Sequence, residues 1–248
     1  MIDLSRISRN EKFFFLAYDQ GMEHGPKDLN LTTCNPEYVL NLTKSGLFTA
    51  FICHKGIAEK YYHPDQYKTP LIIKLNGKSS FINDEPYSPQ ICSVEEAVRL
   101  RAKAVGYTVY VGSRHEDKMF REFSTIVCEA HDIGIPVIGW MYPRGGNVGQ
   151  ETTDITAYAA RIGMELGADI VKVRYAGDPT SMQWVTSCAG AAKVCIAGGA
   201  HLDHAGLIDE ITGAMASGCV GGAIGRNVWQ DPEPLRKAKE IADIIFEN

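Results

Sequence analysis

Lys172 sits where a cation is out of place. It lies in I-V-K-V-R, a run rich in β-branched residues. A strand there would turn Val171 and Val173 to one face and Lys172 to the other. A buried ammonium must find a counter-ion, lose its proton or react. Burial and a nearby cation both lower its pKa and free the amine for attack on a carbonyl carbon. Arg174, of the same parity, and Lys74, in L-I-I-K, are candidate neighbours. The alternative is a structural lysine paired with a buried carboxylate such as Asp19.

Other polar residues fall at the ends of similar runs. Tyr142 ends W-M-Y-P-R-G-G. A phenol there can pass protons, and beside a cationic amine it would ionise more easily; otherwise it is an aromatic plug. Asp19 could orient the lysine or accept a hydrogen bond from a substrate hydroxyl, or else serve as a turn or cap residue. His24 follows in the same loop, as a substrate contact or a loop hydrogen bonder. The last two β-rich runs end in A-G-G-A, holding Gly198 and Gly199, and G-G-A-I-G-R, holding Gly225 and Arg226. Such loops let backbone N–H groups approach a phosphate, and Arg226 could add a charged contact; tight turns also call for glycine. His201 and His204 are three residues apart, with His54 and His63 elsewhere. They are the candidates for a competing metal chemistry, although zinc catalysis usually needs three ligands in a defined motif.

The elements that must position these groups recur along the chain. Strand-like runs fall at 13–17, 49–53, 71–74, 107–111, 136–141, 170–174, 193–197 and 220–224. Amphipathic stretches lie near 36–45, 93–104, 116–132, 153–166, 179–188, 204–217 and 232–246. Ser93 and Glu96 have capping-box spacing. Gly106, Gly134 and Gly167 read as helix-to-strand turns, and Pro232 as the opening of the last helix. Strands alternating with helices predict a parallel sheet, and eight units predict an α/β fold of the (β/α)8 barrel type, one catalytic domain over residues 1–248. An open doubly wound sheet is the runner-up, but Y-D-Q-G-M-E-H-G-P after the first run is no dinucleotide fingerprint. In a barrel, alternate residues point inward. That parity sends Asp19, Lys74, Trp140, Tyr142 and Lys172 toward one space. The irregular stretch 76–89 is expected over the active face.

Composition narrows the function classes. The chain has 248 residues, 45% apolar and 22% charged, with formal net charge −5. That is ordinary for a globular protein and speaks against a nucleic-acid binder, which would carry a basic stripe. No apolar run reaches the roughly 20 residues of a membrane helix. An opening without a secretory signal and scattered cysteines predict a cytoplasmic protein with reduced thiols.

Together these segments resemble the archaeal-type class I fructose-1,6-bisphosphate aldolases, within the wider DeoC/FbaB-like group of Schiff-base aldolases. The carrying motifs are D-Q-G-M-E-H-G-P at 19–26, I-K-L-N-G-K at 73–78, W-M-Y-P-R-G-G at 140–146, A-D-I-V-K-V at 168–173 and the two glycine loops, in family order. The chain begins somewhat short of the family's usual start. The resemblance implies a (β/α)8 barrel and a Schiff-base lysine at Lys172. It also implies a proton-transferring tyrosine at Tyr142, an active-site aspartate at Asp19 and phosphate binding at Gly198, Gly199, Gly225 and Arg226. Trp140, Arg144, His24 and Lys74 are expected to contact the substrate. It implies neither cofactor nor metal, a phosphorylated sugar as substrate, and a homo-oligomer, often a decamer, without nucleic-acid or membrane partners. The group also holds a 2-amino-3,7-dideoxy-D-threo-hept-6-ulosonate synthase, transaldolase-like enzymes and a thiolase, so these remain alternatives. A metal-dependent barrel aldolase and a non-enzymatic phosphometabolite-binding barrel are the readings outside Schiff-base chemistry.

Overall fold

A computed structural model describes residues 2–82, 84–199 and 203–247. Its elements run β1 (Phe13–Ala17), α1 (Gln20–His24), α2 (Pro36–Leu42), β2 (Ala50–Cys53), α3 (Lys55–Tyr61), β3 (Leu71–Lys74), α4 (Val94–Arg99) and β4 (Ala104–Val111). They continue with α5 (Glu116–Asp132), β5 (Val137–Pro143), α6 (Thr153–Glu165), β6 (Ile170–Val173), α7 (Pro179–Cys188) and β7 (Lys193–Ala197). The chain closes with α8 (His204–Ala216), β8 (Gly221–Ile224), α9 (Arg226–Trp229) and α10 (Pro234–Glu247). The strands pair in sequence order, all parallel, and β8 returns to β1 with Phe13 opposite Gly221. The result is a closed (β/α)8 barrel.

Side-chain parity divides the core in two. Phe13, Phe15, Ala17, Ile52, Ile72, Ile138, Trp140 and Ile170 fill the barrel interior. Phe14, Leu16, Phe51, Val171 and Val173 point outward, into the layer beneath the helices. Strands covered on both faces read as unbroken apolar runs, which is why they stand out in the sequence. Ile7 is fully buried in the interior cluster, with Leu4 packed against it. This N-terminal segment seals the barrel at the end where the strands begin.

The boundaries differ from the sequence reading where a local conformation intervenes. The helix expected over 93–104 stops at Arg99, and Arg101 adopts a left-handed φ of 68°. β4 then starts at Ala104, and β5 runs on to Pro143. Ser93 does cap α4, accepting from the Glu96 N–H at 3.0 Å. The last helix opens at Pro234 rather than Pro232. Two short helices have no periodic signal to read: α1 buries no residue and α3 buries only Ala58. Between β3 and α4, the segment 76–89 lies along the β4 and β5 loops. Glu85 accepts from the N–H groups of Arg114 and Gly146, and Ser113 donates to the Pro86 carbonyl.

Gly134 and Gly167 close their helices as expected, at φ 70° and 95°. Gly106 does not: it lies within β4, opposite Lys74 on one side and Ile138 on the other. The reason for glycine there is packing. A Cβ at position 106 would meet the Trp140 indole at 1.6 Å. Gly106→Ala should therefore displace that ring and destabilise the protein by about 2–3 kcal/mol, as overpacked cores do. For a chain of this size, thermal denaturation should show a Tm lowered by roughly 4–12 °C.

Candidate active site

The Trp140 indole that Gly106 admits is the floor between two amines. Lys172 Nζ lies 5.0 Å from the ring centroid and Lys74 Nζ 5.7 Å from it. Register brings this about: Trp140 is the β-sheet partner of Lys172, and Gly106 is the partner of Lys74. Both lysines are buried, at 5% and 1% exposure, but their surroundings differ. Lys74 Nζ donates to Glu23 Oε1 at 2.8 Å and lies 3.7 Å from Asp19 Oδ2. Lys172 makes no ion pair with any described residue. The structural alternative, a Lys172–Asp19 pair, is therefore not what forms; the carboxylates go to Lys74.

The protonation consequences follow. Burial pulls the Lys74 ammonium down, but Glu23 and Asp19 outweigh it and hold the pKa above the usual lysine value. For Lys172, burial dominates; Asp19 opposes it only in part, and the pKa falls. The cause is desolvation, the first of the two causes the sequence suggested, rather than a neighbouring guanidinium. Arg174 is turned to Glu151, at 3.0 Å, at the cavity rim. Burial would raise the carboxyls of Asp19 and Glu23, yet Lys74 holds both below the usual carboxylate range, with Lys172 adding to the effect on Asp19. Asp19 precedes α1 at its N-cap without spending its side chain on a cap bond. Tyr142 corrects the sequence reading: burial, reinforced by Asp19, pushes its phenol well above the usual tyrosine value. It is thus a neutral phenol, not an easily ionised one. The Arg144 guanidinium lies 5.5 Å from the Tyr142 ring centroid and 5.6 Å from that of Tyr110.

One cavity of about 470 Å³ collects these groups. All the residues assigned a role in the aldolase reading line it: Asp19, His24, Lys74, Trp140, Tyr142, Arg144, Lys172, Gly198, Gly199, Gly225 and Arg226. The glycine loops form one side. Arg226 donates to Asp28 Oδ2 at 3.0 Å and to the Gly199 carbonyl at 2.8 Å, and His24 Nδ1 lies 2.9 Å from the same Asp28 oxygen. Gly198 departs from the expected role, because its N–H donates to the Ala223 carbonyl at 3.1 Å and its own carbonyl accepts from Asn227. Its amide is not free for an anion.

Sequence reasoning missed Glu23, Gln20, Thr108, Tyr175 and Glu210, which also line the cavity. For Glu23 a signal existed: it lies four residues after Asp19, one helical turn. Three buried atoms of lining residues have no protein partner: Gln20 Oε1, Thr108 Oγ1 and Trp140 Nε1. Buried polar atoms are normally satisfied, so these mark where a polar ligand would be bound. The histidines of the competing metal reading do not converge. His204 lies against Glu240 at 3.0 Å, His54 Nδ1 is 3.3 Å from the Lys74 carbonyl, and His201 lies outside the described residues. Among the described residues, no three His, Cys, Asp or Glu side chains are grouped to hold a metal.

Comparison with known proteins adds four findings. Residues 13–231 match the family described as DeoC/LacD family aldolase. The fructose-bisphosphate aldolase class 1 of Thermoproteus tenax is 44% identical over 244 residues, 97% of this chain and 92% of that protein. The 2-amino-3,7-dideoxy-D-threo-hept-6-ulosonate synthase 1 of Archaeoglobus fulgidus is 34% identical, over 99% of this chain and 90% of that protein. Among solved structures, an archaeal fructose-1,6-bisphosphate aldolase with its catalytic lysine bound covalently to the carbinolamine intermediate superposes with a TM-score of 0.93. It is 43% identical, covering 98% of this chain and 97% of that one.

The lowered Lys172 pKa has a measurable sign. A depressed pKa keeps the amine neutral at pH values where an exposed ammonium is charged, and reactivity is lost only as pH falls through the lowered value. Labelling with a small acylating reagent across pH, read by peptide mass spectrometry, should show Lys172 reacting at lower pH than the exposed lysines. Equal pH dependence would contradict the assignment.

Proposed function

The chain belongs to the DeoC/LacD family of aldolases, and from that premise we propose that it is a class I, Schiff-base aldolase that reversibly cleaves fructose 1,6-bisphosphate. The products are dihydroxyacetone phosphate and glyceraldehyde 3-phosphate. The observation that carries the reading is Lys172 itself: a buried amine without a counter-ion among the described residues, inside a cavity also lined by Arg144, Arg174 and Arg226. The cations suit a bisphosphate, and the unsatisfied Gln20, Thr108 and Trp140 atoms suit the hydroxyls between.

The open-chain ketose enters with one phosphate at Gly199, Gly225 and Arg226. Phosphate binding supplies the remote energy that sets the ketone beside the amine. Neutral Lys172 attacks C2. Tyr142, a protonated phenol, donates to the departing oxygen of the carbinolamine, water leaves, and an iminium forms. The iminium draws the electron pair of the C3–C4 bond as Asp19 accepts the C4 hydroxyl proton. Glyceraldehyde 3-phosphate leaves. Protonation of the enamine at C3 and addition of water then release dihydroxyacetone phosphate and restore the amine. In this reading residues 1–248 work as one catalytic barrel within a cytoplasmic homo-oligomer.

Incubation with dihydroxyacetone phosphate followed by borohydride should leave a reduced adduct on Lys172, located by peptide mass spectrometry. Lys172→Ala should lose both adduct and turnover; a variant that still cleaves the bisphosphate would refute the assignment. An adduct on Lys172 without cleavage of fructose 1,6-bisphosphate would move the substrate to another phosphorylated ketose. Tyr142→Phe should lower kcat by about 10²–10⁴-fold, the usual scale of general acid catalysis, with KM little changed. A rise in KM at unchanged kcat would assign Tyr142 to binding instead.

A further inference from the structure

Two lysines and two carboxylates share the centre of the cavity, and their charges do not divide evenly. Glu23 takes Lys74 at 2.8 Å, while Asp19 is 3.7 Å from the same ammonium. The second Glu23 oxygen accepts from Tyr110 at 3.4 Å, which fixes the carboxylate from the β4 side. Once Lys172 has given up its proton to react, one positive charge on Lys74 stands against two negative ones, leaving a single negative charge in excess. We propose that Glu23 is a positioning residue that takes the closer contact with Lys74 and thereby leaves the Asp19 carboxylate only partly compensated, available to the cation that forms on Lys172. The proposal rests on the Schiff-base reading above. When the iminium appears, the buried cluster becomes neutral; before it appears, Asp19 is the group with charge to spare. In a water-poor cavity such a preset counter-charge needs no reorganisation at the moment of reaction.

Without Glu23, Lys74 has only Asp19. That pair closes on itself, and the iminium forms beside a carboxylate already spent. The groups around Lys74 are Asp19 and Glu23 from the β1–α1 segment, His54 after β2, Tyr110 from β4, Tyr142 from β5 with Arg144 beyond it, and Lys172 from β6. Loss of Glu23 leaves burial less opposed, so the Lys74 ammonium gives up its proton more readily. As pH rises Lys74 becomes neutral, and Asp19 is released to its original state.

The experiment compares kcat and KM for fructose 1,6-bisphosphate cleavage across pH in the unmodified protein, Glu23→Gln and Glu23→Asp, alongside borohydride trapping. Glu23→Gln should lose about 10–100-fold in kcat near neutral pH, with KM within about threefold, and recover toward alkaline pH. A structural role would lower activity equally at every pH, and that result, or an unchanged kcat, would overturn the proposal. Glu23→Asp keeps the charge and also serves if the glutamine variant does not fold. It should retain most of the activity and lack the alkaline recovery; an aspartate variant with less than a tenth of the activity at all pH values would equally overturn the idea. Absence of a Lys172 adduct in the unmodified protein removes the Schiff-base reading and this proposal together. An adduct there, with Glu23→Gln unaffected, removes the proposal alone.

Discussion

Two amines lie beside one indole, and among the described residues only one of them has a counter-ion in reach. This asymmetry organises the rest of the barrel. An ammonium fully withdrawn from water is tolerated when it is paired and hydrogen-bonded. Lys74 meets that condition through Glu23 and Asp19. Lys172 does not, and burial resolves the conflict by favouring its neutral form. The opposite proton preferences of the two amines are therefore set by where the carboxylates sit, not by any intrinsic difference between two lysine side chains. The segment from β1 into α1 places both carboxylates, and Trp140 keeps both ammonium positions over a face that attracts cations.

What the sequence discloses follows from this physics. Strand parity has a period of two, which no tertiary context alters, so Lys172, Trp140, Tyr142, Lys74 and Asp19 could be sent to one interior space from residue order alone. Pairing has no such period. Two lysines and nearby carboxylates admit several ion pairs, and only the fold selects Lys74 with Glu23. The direction of the Tyr142 shift was likewise hidden: a phenol near cations is expected to ionise readily, but its burial and the nearness of Asp19 reverse the sign. Gly106 looked like a turn because its constraint is set by a side chain on the next strand, 34 positions later in the chain by residue number. Short helices such as α1 were invisible for a different reason. They bury too little to leave an apolar stripe, although α1 carries Glu23.

The glycine-loop side of the cavity shows how distant segments are tied. Asp28 follows α1, yet it receives Arg226, which opens α9, and lies against His24 as well. Gln230 donates to the Asp28 carbonyl, and Trp229 donates to the Ala17 carbonyl. The first and last strand–helix connections are thus sewn together across the seam where the barrel closes. Arg226 is held by contacts that an incoming anion would meet, so its orientation is largely set beforehand, which lowers the ordering cost of binding.

The N-terminal segment around Ile7 gives the barrel a sealed base. A chamber with one mouth imposes a queue. Whatever enters first goes deepest, and whatever is tethered to the depth leaves last. On the proposed chemistry, a fragment carried on Lys172 would not overtake the free one. Order of release would then be written into the architecture as a traffic rule, independent of how tightly either fragment is held.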